Sequence, residues 1–87
     1  MLMNKTSEIS AFIHKLLEQQ TEPKPMKWIV EEACKHFFGK YSRFEHQDFH
    51  RKVWNSTYNG CAAPMKRPRL IKTLNTDGLA LFEFNRN

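Results

Sequence analysis

PMKRPRLIKTLNTDGLALFEF, residues 64–84, is the stretch on which the fold turns. Two apolar-rich runs, Leu70–Leu74 and Leu79–Phe84, flank Asn75-Thr76-Asp77-Gly78. That tetrapeptide is a good hairpin connection, with Gly78 where a positive φ is wanted. Leu70, Leu74, Leu79 and Leu81 are expected to cover a core face. A lone two-stranded hairpin is marginal in water, so this one must lie against something else. Lys66, Arg67 and Arg69 crowd its entrance, and Lys72 lies inside its first run.

The partners for the hairpin lie upstream. Thr6 or Ser7 can cap a first helix, and Glu8 suits its first turn. Ile9, Phe12, Ile13, Leu16 and Leu17 then form one apolar stripe. Glu18-Gln19-Gln20-Thr21 ends the stripe, and Pro23 and Pro25 block any continuation. A second helix starts after Pro25, which is expected in its first turn. Met26, Ile29, Val30, Ala33, Cys34, Phe37 and Phe38 mark its buried face, and Gly39 stops it. Ser42-Arg43-Phe44-Glu45 reads as a capping box. It opens a third helix running to about Tyr58, closed by Asn59-Gly60. Phe49 and Val53, helped by Phe44, face the core. Gln47, Arg51 and Tyr58 fall on the far side, flanked by His50, Trp54 and Asn55.

The 87 residues suffice for one small domain, with a core roughly from 7 to 84. Aromatics make up 13%, and in a chain this short they are core by default. No apolar run approaches membrane-spanning length, and MLMNKTSE turns polar too soon for a signal peptide. Cys34 and Cys61 form no metal-type pair and are too few for a disulfide scaffold. Both read as reduced thiols of a cytoplasmic protein, Cys34 as a small core filler. The net charge of +5 is unevenly spread. Residues 35–72 hold nine Lys or Arg against Glu45 and Asp48, while residues 1–34 and 73–87 each net −1. A basic field confined to one segment implies an anionic partner; a generic solubilising surface is the plainer alternative.

Helix, helix, short Gly-containing turn, helix and C-terminal hairpin is an order that resembles the winged helix-turn-helix superfamily. The resemblance spans nearly the whole chain and rests on element order and spacing. It implies a mainly helical α+β fold, a three-helix bundle with the hairpin as wing. It also implies a DNA-binding transcriptional regulator whose third helix enters the major groove while the wing touches backbone or minor groove. Many members pair a short strand between the first two helices with the wing. Here that place is TEPKP, whose prolines leave at most a stub.

The residue types fit that implication. Arg43, His46, Gln47, His50, Arg51 and Asn55 project from the third helix. Arg pairs with guanine and Gln or Asn with adenine. Ser42 stands beside the helix N-terminus, where backbone N–H groups meet phosphate. Lys66, Arg67, Arg69 and Lys72 would clamp phosphates, although a loop kept polar to guard a sheet edge gives the same letters. Trp54 and Tyr58 either pack under the hairpin or beneath the loop at Cys61-Ala62-Ala63, the expected arrangement, or form an exposed aromatic patch for a protein partner, or stack on bases. The expected partner is double-stranded DNA, bound by a homodimer because one such domain covers little DNA. The alternative is a protein-interaction winged helix that occupies a surface on another protein. RNA fits less well, since the ring-bearing sheet of common single-strand modules is missing.

Neither catalysis nor a cofactor is expected. His46 and His50 are four apart, but HQDFH lacks the Glu of HExxH and no third metal ligand stands nearby. No Gly-rich phosphate loop or nucleophile elbow occurs.

Overall fold

The computed structural model describes residues 6–40, 47–61 and 68–86. The first helix, α1, is Thr6–Glu18. Its buried line is Ile9, Ile13 and Leu17, with Phe12 and Leu16 half-buried at its margins. Its C-terminal carbonyls are all spoken for within a turn. The backbone N–H of Gln20 donates to Leu17 (3.1 Å), and the Gln20 side-chain amide donates to Leu16 (3.1 Å). Arg86, from the far end of the chain, donates to the carbonyls of Glu18 (2.6 Å) and Gln20 (3.1 Å). A guanidinium at a helix C-terminus satisfies orphan carbonyls and opposes the helix dipole.

The TEPKP stretch yields a two-residue strand, β1 (Lys24–Pro25). Pro25 is extended (φ −75°, ψ 159°) and α2 (Met26–Phe38) starts just after it, as read from the sequence, with Pro25 at the cap and outside the first turn. An edge strand tolerates this proline because the missing N–H costs no ladder bond. Met26, Ile29, Val30, Ala33 and Cys34 of α2 are buried. Gly39 ends α2 in the left-handed conformation (φ 78°), its N–H donating to the Lys35 carbonyl at 3.0 Å. Phe12, Phe37, Phe38 and Phe49 meet in a cluster of ring contacts at one margin of the core, with His36 stacked on Phe12 at 4.3 Å.

The third helix, α3, is described over Gln47–Gly60. The Ser42–Glu45 capping box and Phe44 fall outside the described residues. Phe49 and Val53 are buried, as the periodicity requires. So are Ser56, Thr57 and Gly60, which the apolar pattern did not signal. Thr57 is accommodated by donating its hydroxyl to the Val53 carbonyl at 2.8 Å. Gly60 continues the helix to its last residue rather than breaking it, and the left-handed glycines are Gly39 and Gly78 alone among the described residues.

The hairpin consists of β2 (Leu70–Leu74) and β3 (Ala80–Phe84). With β1 they form a three-stranded antiparallel sheet in the order β1-β3-β2, so the stub suffices to complete a third strand. Asn75 builds the connection: its side-chain oxygen accepts from the N–H groups of Asp77 and Leu79, both at 2.9 Å. Gly78 takes φ 81°.

The core face of the hairpin differs from expectation. Of Leu70, Leu74, Leu79 and Leu81, only Leu70 is buried; Leu74 and Leu79 are 65% and 51% exposed. Phe82 is the fully buried side chain of β3. The register explains this. Leu70 pairs with Phe84 and Lys72 with Phe82, so the inward set of β3 is Ala80, Phe82 and Phe84, while Leu81 lies on the other face. Leu74 lies on the inward face too. It is four residues past Leu70, about 13 Å along the strand, and overhangs the helices. The fold is thus α+β and mainly helical, three helices closed by a sheet whose central strand supplies the plug.

Candidate nucleic-acid interface

The outer side of α3 carries Gln47, Arg51, Trp54 and Tyr58 at i, i+4, i+7 and i+11, which places them in one row along the helix. All four are exposed, as is Asn55 beside them. His50, expected with them, is half-buried at the edge of the row. The inward face sets this arrangement: Phe49, Val53, Ser56, Thr57 and Gly60 are buried, leaving the opposite side to solvent.

At its C-terminal end the row meets the hairpin. The Tyr58 ring lies edge-on to Phe82 (centroids 5.4 Å, interplanar angle 85°). The Lys72 ammonium lies 5.6 Å from the centroid of the same ring. Lys72 is on the inward face of β2, between buried Leu70 and exposed Leu74, and is itself exposed. Tyr58 is therefore the hinge between the α3 row and the cation of the strand. Trp54 stacks on Tyr58 with centroids 5.6 Å apart and planes 27° from parallel. The expected packing under the hairpin holds for one side of Tyr58, which stays 38% exposed, and fails for Trp54, which is 47% exposed.

Arg69 is exposed at the entrance of β2. Asn85 holds this entrance: its backbone N–H donates to the Arg69 carbonyl (2.8 Å) and its side-chain amide to the Pro68 carbonyl (2.8 Å). Nothing in the sequence marks Asn85 for this task, since an Asn after a strand reads simply as a terminator. Ser42, Arg43, His46, Lys66 and Arg67 lie outside the described residues. Within the described residues the expected site therefore comprises Gln47, Arg51 and Asn55 on α3 with half-buried His50 at their edge, Lys72 joined to them through Tyr58, and Arg69 at the strand entrance.

The electrostatics are one-sided. Among the described residues the ion pairs are Lys24–Glu22 (3.3 Å) and Lys35–Glu32 (3.5 Å), so Arg51, Arg69 and Lys72 make none. Two titrating groups sense this field. Burial pushes the His14 imidazole below its ordinary value, and the Arg69 charge adds to the effect. Burial pushes the Cys61 thiol up, opposed in part by Lys72. Cys34 is buried, and burial raises its thiol too.

Among the described residues no three His, Cys, Asp or Glu side chains come together as a metal site. Among the same residues no helix is long and apolar enough to cross a membrane. Comparison with protein-family models, with curated proteins and with solved structures finds no match to this chain.

Proposed function

We propose that the chain is a winged helix-turn-helix protein that binds double-stranded DNA, with α3 in the major groove and the β2–β3 hairpin on phosphates, as a small transcriptional regulator. The observation that carries this reading is the exposed row of α3 running through Tyr58 into Lys72, with no carboxylate paired to its cations among the described residues. Gln47, Arg51 and Asn55 offer the forked donors that read base edges, and Lys72 and Arg69 offer charge to the backbone. The three-stranded sheet supports the fold assignment, because a short strand between the first two helices is the superfamily pattern.

The test is fluorescence anisotropy with a duplex of about 30 base pairs, three turns of B-DNA, across a salt series. Affinity is expected to fall steeply with salt, with a logarithmic slope of about −0.9 per neutralised phosphate. Lys72→Ala is expected to reduce that slope by roughly one contact, and Arg51→Ala to weaken binding at every salt concentration. Absence of binding at low salt would sink the reading. A second reading, the same fold as a protein-docking module, is favoured by the exposed Trp54, Tyr58, Leu74 and Leu79.

A further inference from the structure

We propose that the stacked Trp54–Tyr58 pair is a ledge for unpaired nucleobases, so that this surface prefers DNA with a melted or single-stranded stretch to an intact duplex. The inference rests on the DNA reading above and specifies its substrate. It starts from what the two rings forgo. A Trp side chain buries 150–250 Å² when packed, and it dominates the energetics of any core it joins. Trp54 leaves 47% of itself in water although its neighbour Tyr58 touches the core residue Phe82. The fold thus holds Tyr58 in place with Phe82 on its edge and Lys72 5.6 Å from its centre, and Tyr58 in turn orients Trp54. Two flat rings, nearly parallel and ordered before any ligand arrives, are displayed in the row that carries Arg51.

Such rings have little to do on paired DNA. A duplex hides the faces of its bases and shows side chains only their edges, which are read by hydrogen bonds. Indole offers a single donor and no acceptor. An unpaired base exposes its face, and every base has one, so stacking on protein rings is the usual way to hold a single strand. Backbone charge must be met beside the rings. Arg51 stands one turn from Trp54, Lys72 lies at Tyr58, and neither is paired with a carboxylate among the described residues. The acidic residue at the start of α3, Asp48, lies about 100° round the helix from the head of the row.

Leu74 extends the same line. It shares the inward face of β2 with Lys72, two residues further on, and is 65% exposed. Apolar side chains that insert between base steps act as wedges that unstack them. A peptide partner would also find apolar contacts here. Cations without carboxylate partners among the described residues and a stacked ring pair together fit a chain that alternates phosphate with planar bases.

The experiment uses the full chain carrying Trp28→Phe, so that Trp54 is the sole tryptophan, with circular dichroism to confirm folding. Three probes are compared at one salt concentration: a duplex of about 20 base pairs, the same duplex with a central thymine bubble, and oligo-dT. The bubble is expected to bind roughly 5- to 150-fold more tightly than the duplex, the range that one stacked base supplies. Bubble and oligo-dT are expected to quench Trp54 emission, and Trp54→Phe to retain most of the preference. Trp54→Ala is expected to bring bubble affinity down to that of the duplex. Equal affinities with unchanged emission, while duplex binding persists, would overturn the ledge and leave the duplex reading standing. Quenching by oligo-dT with no duplex binding would do the reverse. Quenching by an acidic leucine-containing peptide, with none by oligo-dT, would assign the rings to a protein and overturn the proposal.

Discussion

His14 lies where α1 crosses the end of α3. Its Nε2 is buried without a hydrogen-bond partner, and a Cβ added at Gly60 would come within 3.1 Å of it. Burial first, and the Arg69 charge second, hold its pKa below the ordinary 6.5. The sign follows from linkage. Above 6.5 the imidazole is neutral folded or unfolded, and the native state carries no penalty. As pH falls below 6.5 the unfolded chain takes up the proton first, so stability drops until the folded-state pKa is passed. The urea midpoint is therefore expected to fall between about pH 7 and pH 5, and to fall less in His14→Gln. An equal acid-side loss in the variant would place the titration elsewhere. The sequence gives no hint of this role: on the wheel His14 merely adjoins the apolar stripe of α1. Only the approach of Gly60 and Arg69, which are remote in sequence, gives this half-buried residue its depressed pKa.

At the scale of elements, the three helices were legible because their buried sides are built of large apolar residues at helical spacing. Reading failed where burial is carried by small ones. Ser56, Thr57 and Gly60 let α3 come close to its neighbours, and small or polar letters leave no mark in an apolar pattern. The hairpin failed differently. LALFEF offers apolar residues to both faces of a strand, so alternation cannot choose between Leu79/Leu81 and Ala80/Phe82/Phe84. The turn sets the register, and the register sends Phe82 inward. The row on α3 was legible as a helical face, whereas the exposure of Trp54 was not, because it depends on where the hairpin ends. Gly60 joins these elements. A Cβ there would lie 2.9 Å from Leu70 Cδ1, and Leu70 is itself buried. Gly60→Ala gains up to about 1 kcal/mol of helix propensity. It is still expected to destabilise by about 1 kcal/mol or more, because overpacking a closed core costs roughly 1–3 kcal/mol. A Tm at or above that of the parent would show that Leu70 and His14 can retreat.

For the whole molecule, three cations of the basic second half, Arg51, Arg69 and Lys72, are exposed and without carboxylate partners among the described residues. The closure of the fold was less legible. Arg86 reaches back to the end of α1, and β3 lies between β1 and β2. The strand in the middle of the sheet is thus the last element of the described chain. Phe82, on that strand, is the largest of the fully buried side chains. A chain truncated after Gly78 should lose cooperative thermal unfolding, although all three helices remain in its sequence. A sharp melting transition near that of the parent would show that the helices need no plug.

Central placement of β3 also has a consequence for biosynthesis. The apolar faces of the helices leave the ribosome first, and the strand that completes their shared core, ending at residue 84, follows last. The complete core, with Phe82 in it, is therefore expected only after β3 has been made. Through most of its translation, the nascent chain presents its core residues to chaperones and proteases alike.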